Sequence, residues 1–265
     1  MIKASGIITF TTDFGTRDPY AAMMKGVVLG VNPRAAIVDI THEIPPHDIV
    51  NGAFTLLRAY RYFPEGTVHV AVIDPGVGGH RKNIAVGVDG HLFVGPDNGL
   101  FAEIVASDDN HEIRHIQNPS FMRDVVSDTF HGRDVFAPCA AHLSIGVALS
   151  ETGPLVKRFS RLDYPKITRR GNVLEGEVLT VDTFGNLITN ISKRDFAAFT
   201  GSKNVEIAFC AERFDSVCTN YSEVESGQPL VLFGSSEFLE ISMNEGNAAD
   251  YFMAESHAPI IVRIF

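Results

Sequence analysis

Two hydrophobic rhythms divide this chain near residue 168. Before it, short β-branched runs alternate with longer segments whose apolar residues recur at helical spacing. Gly6–Thr12 predicts a first strand ending at Asp13-Phe14-Gly15. Asp18-Pro19 predicts a helix start, with Asp18 as N-cap, and Tyr20, Met23, Met24, Val27 and Val28 follow before Asn32-Pro33. Ala36–Thr41 is a second strand, after which Asp48 caps a helix running to Tyr60. Val68–Ile73 is apolar at nearly every position, as in a strand buried on both faces. Ile84–Val88 and His91–Val94 flank Asp89-Gly90 and predict a hairpin, with a short helix over Leu100–Ala106. A further helix opens at His131 and runs to Gly146.

Strands alternating with helices predict an α/β domain, residues 1–167, with a mostly parallel sheet covered by helices on both faces. Residues 163–171, with Pro165, Lys166, Arg169 and Arg170, read as a polar connector. Beyond it, Gly176–Val181, Val205–Phe209, Leu230–Phe233, Phe238–Ser242 and Ile260–Ile264 predict a small β-barrel over residues 168–265.

In open α/β sheets ligands bind beyond the carboxyl ends of the strands, so acids at strand ends draw notice. Three stand there: Asp13, Asp39 and Asp74. Asp74 leads into Pro75-Gly76-Val77-Gly78-Gly79-His80-Arg81, a glycine-rich excursion that returns an arginine toward the acid. Asp39 is followed by no glycine and reads more simply as a helix cap. His42 and His47, separated by Pro45 and Pro46, read as surface histidines rather than a metal pair. The second domain repeats the strand, acid, glycine and amide order in Asp182-Thr183-Phe184-Gly185-Asn186. No P-loop, nucleophile elbow or dinucleotide fingerprint is present.

Composition narrows the classes further. The chain has 265 residues, 45% hydrophobic and 20% charged, as in ordinary globular proteins. Its formal net charge of −10, without a basic cluster, argues against a nucleic-acid surface. Cys139, Cys210 and Cys218 lack metal or disulfide spacing and suit free thiols in a reducing compartment. With neither a cleavage signal nor an 18-residue apolar run, the expectation is a cytoplasmic protein without a membrane partner.

Five stretches in register resemble one family, the S-adenosyl-L-methionine (SAM) hydrolases or SAM hydroxide adenosyltransferases, related to fluorinase and chlorinase. They are Thr11–Gly15, Ile73–Gly79, Pro96–Gly99, Thr129–Asp134 and Asp182–Asn186, and the likeness runs from residue 7 to about residue 252. The resemblance implies an α/β domain followed by a β-barrel, and a homotrimer whose sites lie at subunit interfaces. It implies catalytic roles for Asp74, Arg81 and His131. It assigns Asp13 to the ribose side, Asp182 to the methionine ammonium, Phe184 and Asn186 to adenine, and Ser235 to the methionine carboxylate. Tyr221, Glu240 and Met243 fall in the same pocket. No cofactor and no metal are expected.

The halide-using relatives carry Tyr at the position of Asp74 and Ser at that of Gly132, with an extra loop where Gly90 to Pro96 is short here. The implied reaction is therefore attack of water on the 5′ carbon of SAM, giving adenosine and L-methionine. Halide transfer, and a nucleoside-binding protein without turnover, are the competing readings. Which of Asp74 and His131 takes the proton is open at the level of sequence.

Overall fold

The computed structural model describes residues 2–265, which form two compact units, one through Leu162 and the other from Asp163 to Phe265.

The first unit holds a six-stranded sheet built from β1 (Ile7–Thr12), β2 (Ala36–Thr41), β3 (Val68–Val72), β4 (Asn83–Val88), β5 (His91–Pro96) and β6 (Glu112–His115), in the order β2-β1-β3-β5-β4-β6. The pairs β1–β2, β1–β3 and β3–β5 are parallel, whereas β4 runs antiparallel to both β5 and β6. Four helices lie against it: α1 (Tyr20–Val31), α2 (Ile49–Ala59), α3 (Ala102–Ala106) and α4 (Ala137–Ser144). Strand β3 shows why its sequence is apolar at nearly every position. Val68, Val70 and Val72 join Met24 and Val28 of α1 and Ala140 of α4 in one core. Ala71 and Ile73 join Ala53 and Leu56 of α2 and Ile104 of α3 in the other. The α/β expectation, with helices on both faces, is met.

Three local readings need correction. Helix α1 starts one residue later than expected, with Pro19 at the N-cap and no side-chain cap from Asp18. The helix opened by His131 begins with a π-helical turn over Gly132–Phe136, in which the Ala137 N–H reaches back to the Gly132 carbonyl. Pro138 has no N–H to give the Asp134 carbonyl, which accepts instead from the Arg123 N–H at 2.9 Å. Thr168–Arg170 is a short strand rather than connector.

The second unit contains β7 (Thr168–Arg170), β8 (Val173–Val181), β9 (Leu187–Ser192), β10 (Val205–Phe209), β11 (Glu212–Phe214), β12 (Pro229–Phe233), β13 (Phe238–Met243) and β14 (Pro259–Ile264). They form a nearly closed, antiparallel, barrel-like sheet in the order β11-β10-β14-β8-β9-β13-β12, with β7 added alongside β8. The first half of β8 pairs with β14 and its second half with β9, across an irregularity between Val178 and Thr180. That break curls the sheet around Val178, Leu187, Ile241 and Val262. Helix α5 (Lys193–Thr200), capped by Ser192 on the Asp195 N–H, packs Phe196 and Phe199 into this core, and a one-turn α6 (Ala248–Phe252) adds Ala248. Sequence periodicity did not reveal α5, α6, β6 or β9.

Candidate active site

At the carboxyl ends of β1 and β3, the first unit opens a cavity of about 580 Å³ whose lining includes Asp13, Asp74 and His131. Ile73 ends the apolar run of β3, and the chain then turns on Asp74 with the Val77 N–H returned to the Asp74 carbonyl at 3.2 Å. Asn98, in the loop after β5, donates its amide to the Ile73 carbonyl at 2.8 Å and so anchors the residue before the acid. Gly78 adopts φ +74°, and a Cβ there would stand 2.3 Å from the Asp128 carbonyl oxygen. Only glycine gives the loop this approach and this conformation together.

The loop brings Arg81 back to Asp74. Arg81 Nε donates to Oδ1 at 2.9 Å and to Oδ2 at 3.0 Å, and Nη2 makes a further bond to Oδ2. The two side chains are 9% and 4% exposed, so water screens this pair little. Nη2 also lies 2.9 Å from His131 Nδ1, and the guanidinium sits 5.6 Å over the Phe136 ring. Burial first, then the charge of Arg81, lowers the His131 pKa below the ordinary 6.5, against smaller opposing effects of Asp74, Asp128 and Asp134. His131 is therefore neutral at pH 7. Asp74, Arg81 and His131 converge in one place, joined by a residue not singled out in the sequence: Asn83, at the start of β4. Asn83 Oδ1 accepts from Arg81 Nη1 and lies 3.2 Å from His131 Nδ1. No sequence signal marked it: Arg81 precedes β4, so strand alternation does not relate the two side chains, and only the fold brings them together.

Asp13 also lines the cavity, with Oδ2 accepting the His47 N–H at 2.9 Å. His47 stands at φ 68°, an uncommon conformation for a non-glycine residue. Phe14, Tyr20 and Phe130 meet edge to face at 5.4–5.9 Å and form an apolar wall. His42 is not on the surface: it is 5% exposed, with Nδ1 2.8 Å from the Thr12 hydroxyl and Nε2 3.1 Å from Asp39. Asp39 binds Lys25 at 2.6 Å and His42 and caps no helix. Among the described residues no group of three or more His, Cys, Asp or Glu could hold a metal ion.

The second unit has its own cluster. Asp182 accepts from the N–H groups of Phe184 and Asn186 and from the Asn186 side-chain amide, each at 2.9 Å. Phe184, 77% exposed, and Asn186 line a depression of about 500 Å³ with Tyr221 and Met243. The Tyr221 hydroxyl donates to Glu240 at 3.4 Å, and burial with the nearby Glu240 and Asp182 charges raises its pKa. Ser235 is exposed in the β12–β13 loop, next to Gly234, whose Cα faces the Glu240 carboxylate.

Residues 8–153 match the family model of the SAM hydroxide adenosyltransferase N-terminal domain, and residues 176–261 match that of its C-terminal domain. The chain belongs to the SAM hydroxide adenosyltransferase family. Within this family it is 35% identical over 262 residues to the (R)-S-adenosyl-L-methionine hydrolase of Thermus thermophilus, covering 96% of this chain and 98% of that protein. It is 42% identical over 192 residues to the protein of the same name from Methanocaldococcus jannaschii, covering 71% and 67%. A fluorinase from an Actinoplanes species is 30% identical over 216 residues, covering 71% and 72%. Among solved structures, an uncharacterized conserved protein from Thermotoga maritima superposes with a TM-score of 0.90 at 35% identity, covering 97% and 99%. Among the described residues of this SAM hydroxide adenosyltransferase homologue, no helix is long and apolar enough to cross a membrane.

Proposed function

We propose that this protein hydrolyses S-adenosyl-L-methionine to adenosine and L-methionine, by in-line attack of a positioned water on the 5′ carbon. The observation that carries this reading is the Asp74–Arg81–His131 convergence on one cavity, in a chain whose relatives are named as SAM hydrolases. Departure of the sulfonium neutralises its charge, so the leaving group needs little help. The nucleophile is the difficulty. Water has a pKa of about 15.7 and an ordinary carboxylate one of about 3.9, so complete deprotonation before attack would cost about 16 kcal/mol. The proton therefore leaves as the C–O bond forms.

Holding the water in line with the C–S bond is worth about 7–11 kcal/mol. General-base assistance adds about 10²–10⁴-fold. Asp74 orients the water, and the proton passes to the Asp74–His131 pair. Arg81 fixes both, and the aromatic wall of Phe14, Tyr20 and Phe130 keeps bulk water from the sulfonium. Asp13 binds the ribose. In the second unit Asp182 receives the methionine ammonium, Phe184 and Asn186 the adenine, and Ser235 the carboxylate, with Tyr221, Glu240 and Met243 completing that pocket.

An anionic carboxylate at the nucleophile's position repels a halide ion but accepts hydrogen bonds from water, which favours hydrolysis over halide transfer. The decisive experiment is incubation with SAM in ¹⁸O-enriched water. Adenosine labelled at the 5′ oxygen is expected; unlabelled adenosine, 5′-halogenated adenosine in chloride or fluoride, or unchanged SAM would each refute the reading. The names of the relatives specify the (R) configuration, and offering the two sulfonium epimers separately tests the same preference here. The resemblance also supports a cytoplasmic homotrimer with sites at subunit interfaces, which native mass spectrometry and cell fractionation test.

A further inference from the structure

Two groups beside the proposed water site, Asp74 and His131, could receive its proton, and a fourth side chain bears on which of them does. Arg81 Nη2 lies 2.9 Å from His131 Nδ1, and Asn83 Oδ1 lies 3.2 Å from the same nitrogen. A guanidinium carries only hydrogens to donate, so the first contact requires a lone pair on Nδ1. An amide oxygen carries only lone pairs, so the second requires a hydrogen there. Both cannot hold at once.

The arginine contact is shorter and charge-assisted, and Asn83 Oδ1 is already supplied with a proton by Arg81 Nη1. The always-protonated Nη1 in turn requires that the amide present its oxygen, not its nitrogen. Among the described residues His131 Nε2 makes no hydrogen bond, and His131 lines the cavity.

We propose that Asn83 is a positioning residue which, by accepting from Arg81 Nη1, aims Nη2 at His131 Nδ1 and holds the imidazole as its Nε2–H tautomer. His131 then offers the cavity a donor rather than a lone pair, and Asp74 is the proton acceptor. This assignment rests on the hydrolytic reading. In the step itself, water oxygen bonds to C5′, the C5′–S pair returns to sulfur as the neutral thioether of methionine, and the water proton moves to the Asp74 carboxylate. Asp74 releases it to solvent afterwards.

The test combines ¹⁵N-histidine NMR of the substrate-free protein with kinetics of Asn83→Asp and Asn83→Ala. The His131 signals are assigned by their loss in His131→Gln. The charged groups facing His131 are Arg81, Asp74, Asp128 and Asp134, and a carboxylate at position 83 would join them beside Nδ1. The wild type is expected to show the proton on Nε2. Asn83→Asp keeps an acceptor for Arg81 but draws a proton onto Nδ1, and it moves the acid limb of kcat against pH upward. Asn83→Ala lowers kcat by about a hundredfold with little change in KM.

A wild-type proton on Nδ1, or an Asn83→Asp protein with unchanged tautomer and pH profile, would overturn the proposal. A purely structural Asn83 would shift thermal stability alone. Because the tautomer is read without substrate, failure of the wild type to turn over SAM would sink the hydrolytic reading while leaving the role of Asn83 separately decided.

Discussion

Asp74 holds both of its oxygens against Arg81 and keeps only 4% of its side chain exposed, yet it lines an open cavity. A loop-end acid of this kind contributes little to either core, so its removal tests chemistry more than folding. Asp74→Asn preserves shape and abolishes the proton acceptor; turnover should fall by about 10²–10⁴-fold or more with the thermal transition retained. Loss of that transition would make the residue structural. His131 gives a pH prediction with a definite sign. Burial and Arg81 hold its pKa below 6.5, so the neutral form persists through neutrality into mild acid. The kcat/KM profile should therefore be flat from pH 8 to 7 and decline only below 6.5, and His131→Gln should remove that limb. A decline already under way between pH 8 and 7 would contradict the assignment.

At the scale of elements, the β3–β4 loop is what delivers Arg81, and Gly78 is its tightest point. Alanine there meets both the left-handed φ and the Asp128 carbonyl. The conformational penalty alone is about 1–2 kcal/mol, and the displaced loop should also lower kcat; wild-type unfolding and turnover in Gly78→Ala would refute the close approach. Gly15, with φ +65° and nothing within 4 Å of a Cβ, should suffer the conformational penalty alone, measured by the same denaturant titration. Much of this layout was legible. Strand β3 announced itself by a run apolar at every position but His69, because both of its faces are covered, and the loop by its glycines. The π-helical turn was not legible, since it depends on the Asp134 carbonyl left by Pro138 finding Arg123 from a distant segment. Strand β6 is four residues of half-buried, mostly polar edge, and α5 is two turns long, too short for periodicity to register. Asn83 escaped because a lone amide signals no chemistry until Arg81 and His131 are seen around it.

For the molecule as a whole, the change of hydrophobic rhythm foretold an α/β unit and a barrel-like one, but not how protons couple to their stability. That depends on burial, which a histidine's neighbours in sequence do not reveal. His69 reads as one polar residue within an apolar strand, and in the fold it is fully buried. Its Nδ1 lies 2.8 Å from the Thr9 hydroxyl, its Nε2 lies 3.2 Å from His91, and its ring stacks on Phe93 at 5.0 Å. Burial, reinforced by His91, pushes its pKa from 6.5 down to about 3. His91, His115, His131 and His142 are lowered as well, chiefly by burial. Each is protonated more readily unfolded than folded, so stability rises with pH through this range and is lost as pH falls below 6.5. His69 alone should cost about 2 kcal/mol between pH 8 and 5, the slope approaching about 1.4 kcal/mol per pH unit only once the unfolded histidine is mostly protonated. Urea unfolding at fixed protein concentration measures this directly. Between pH 8 and 5 the wild type should lose about 2 kcal/mol more than His69→Gln, whose amide carries no titrating proton. Equal losses in the two proteins would place the acid sensitivity elsewhere.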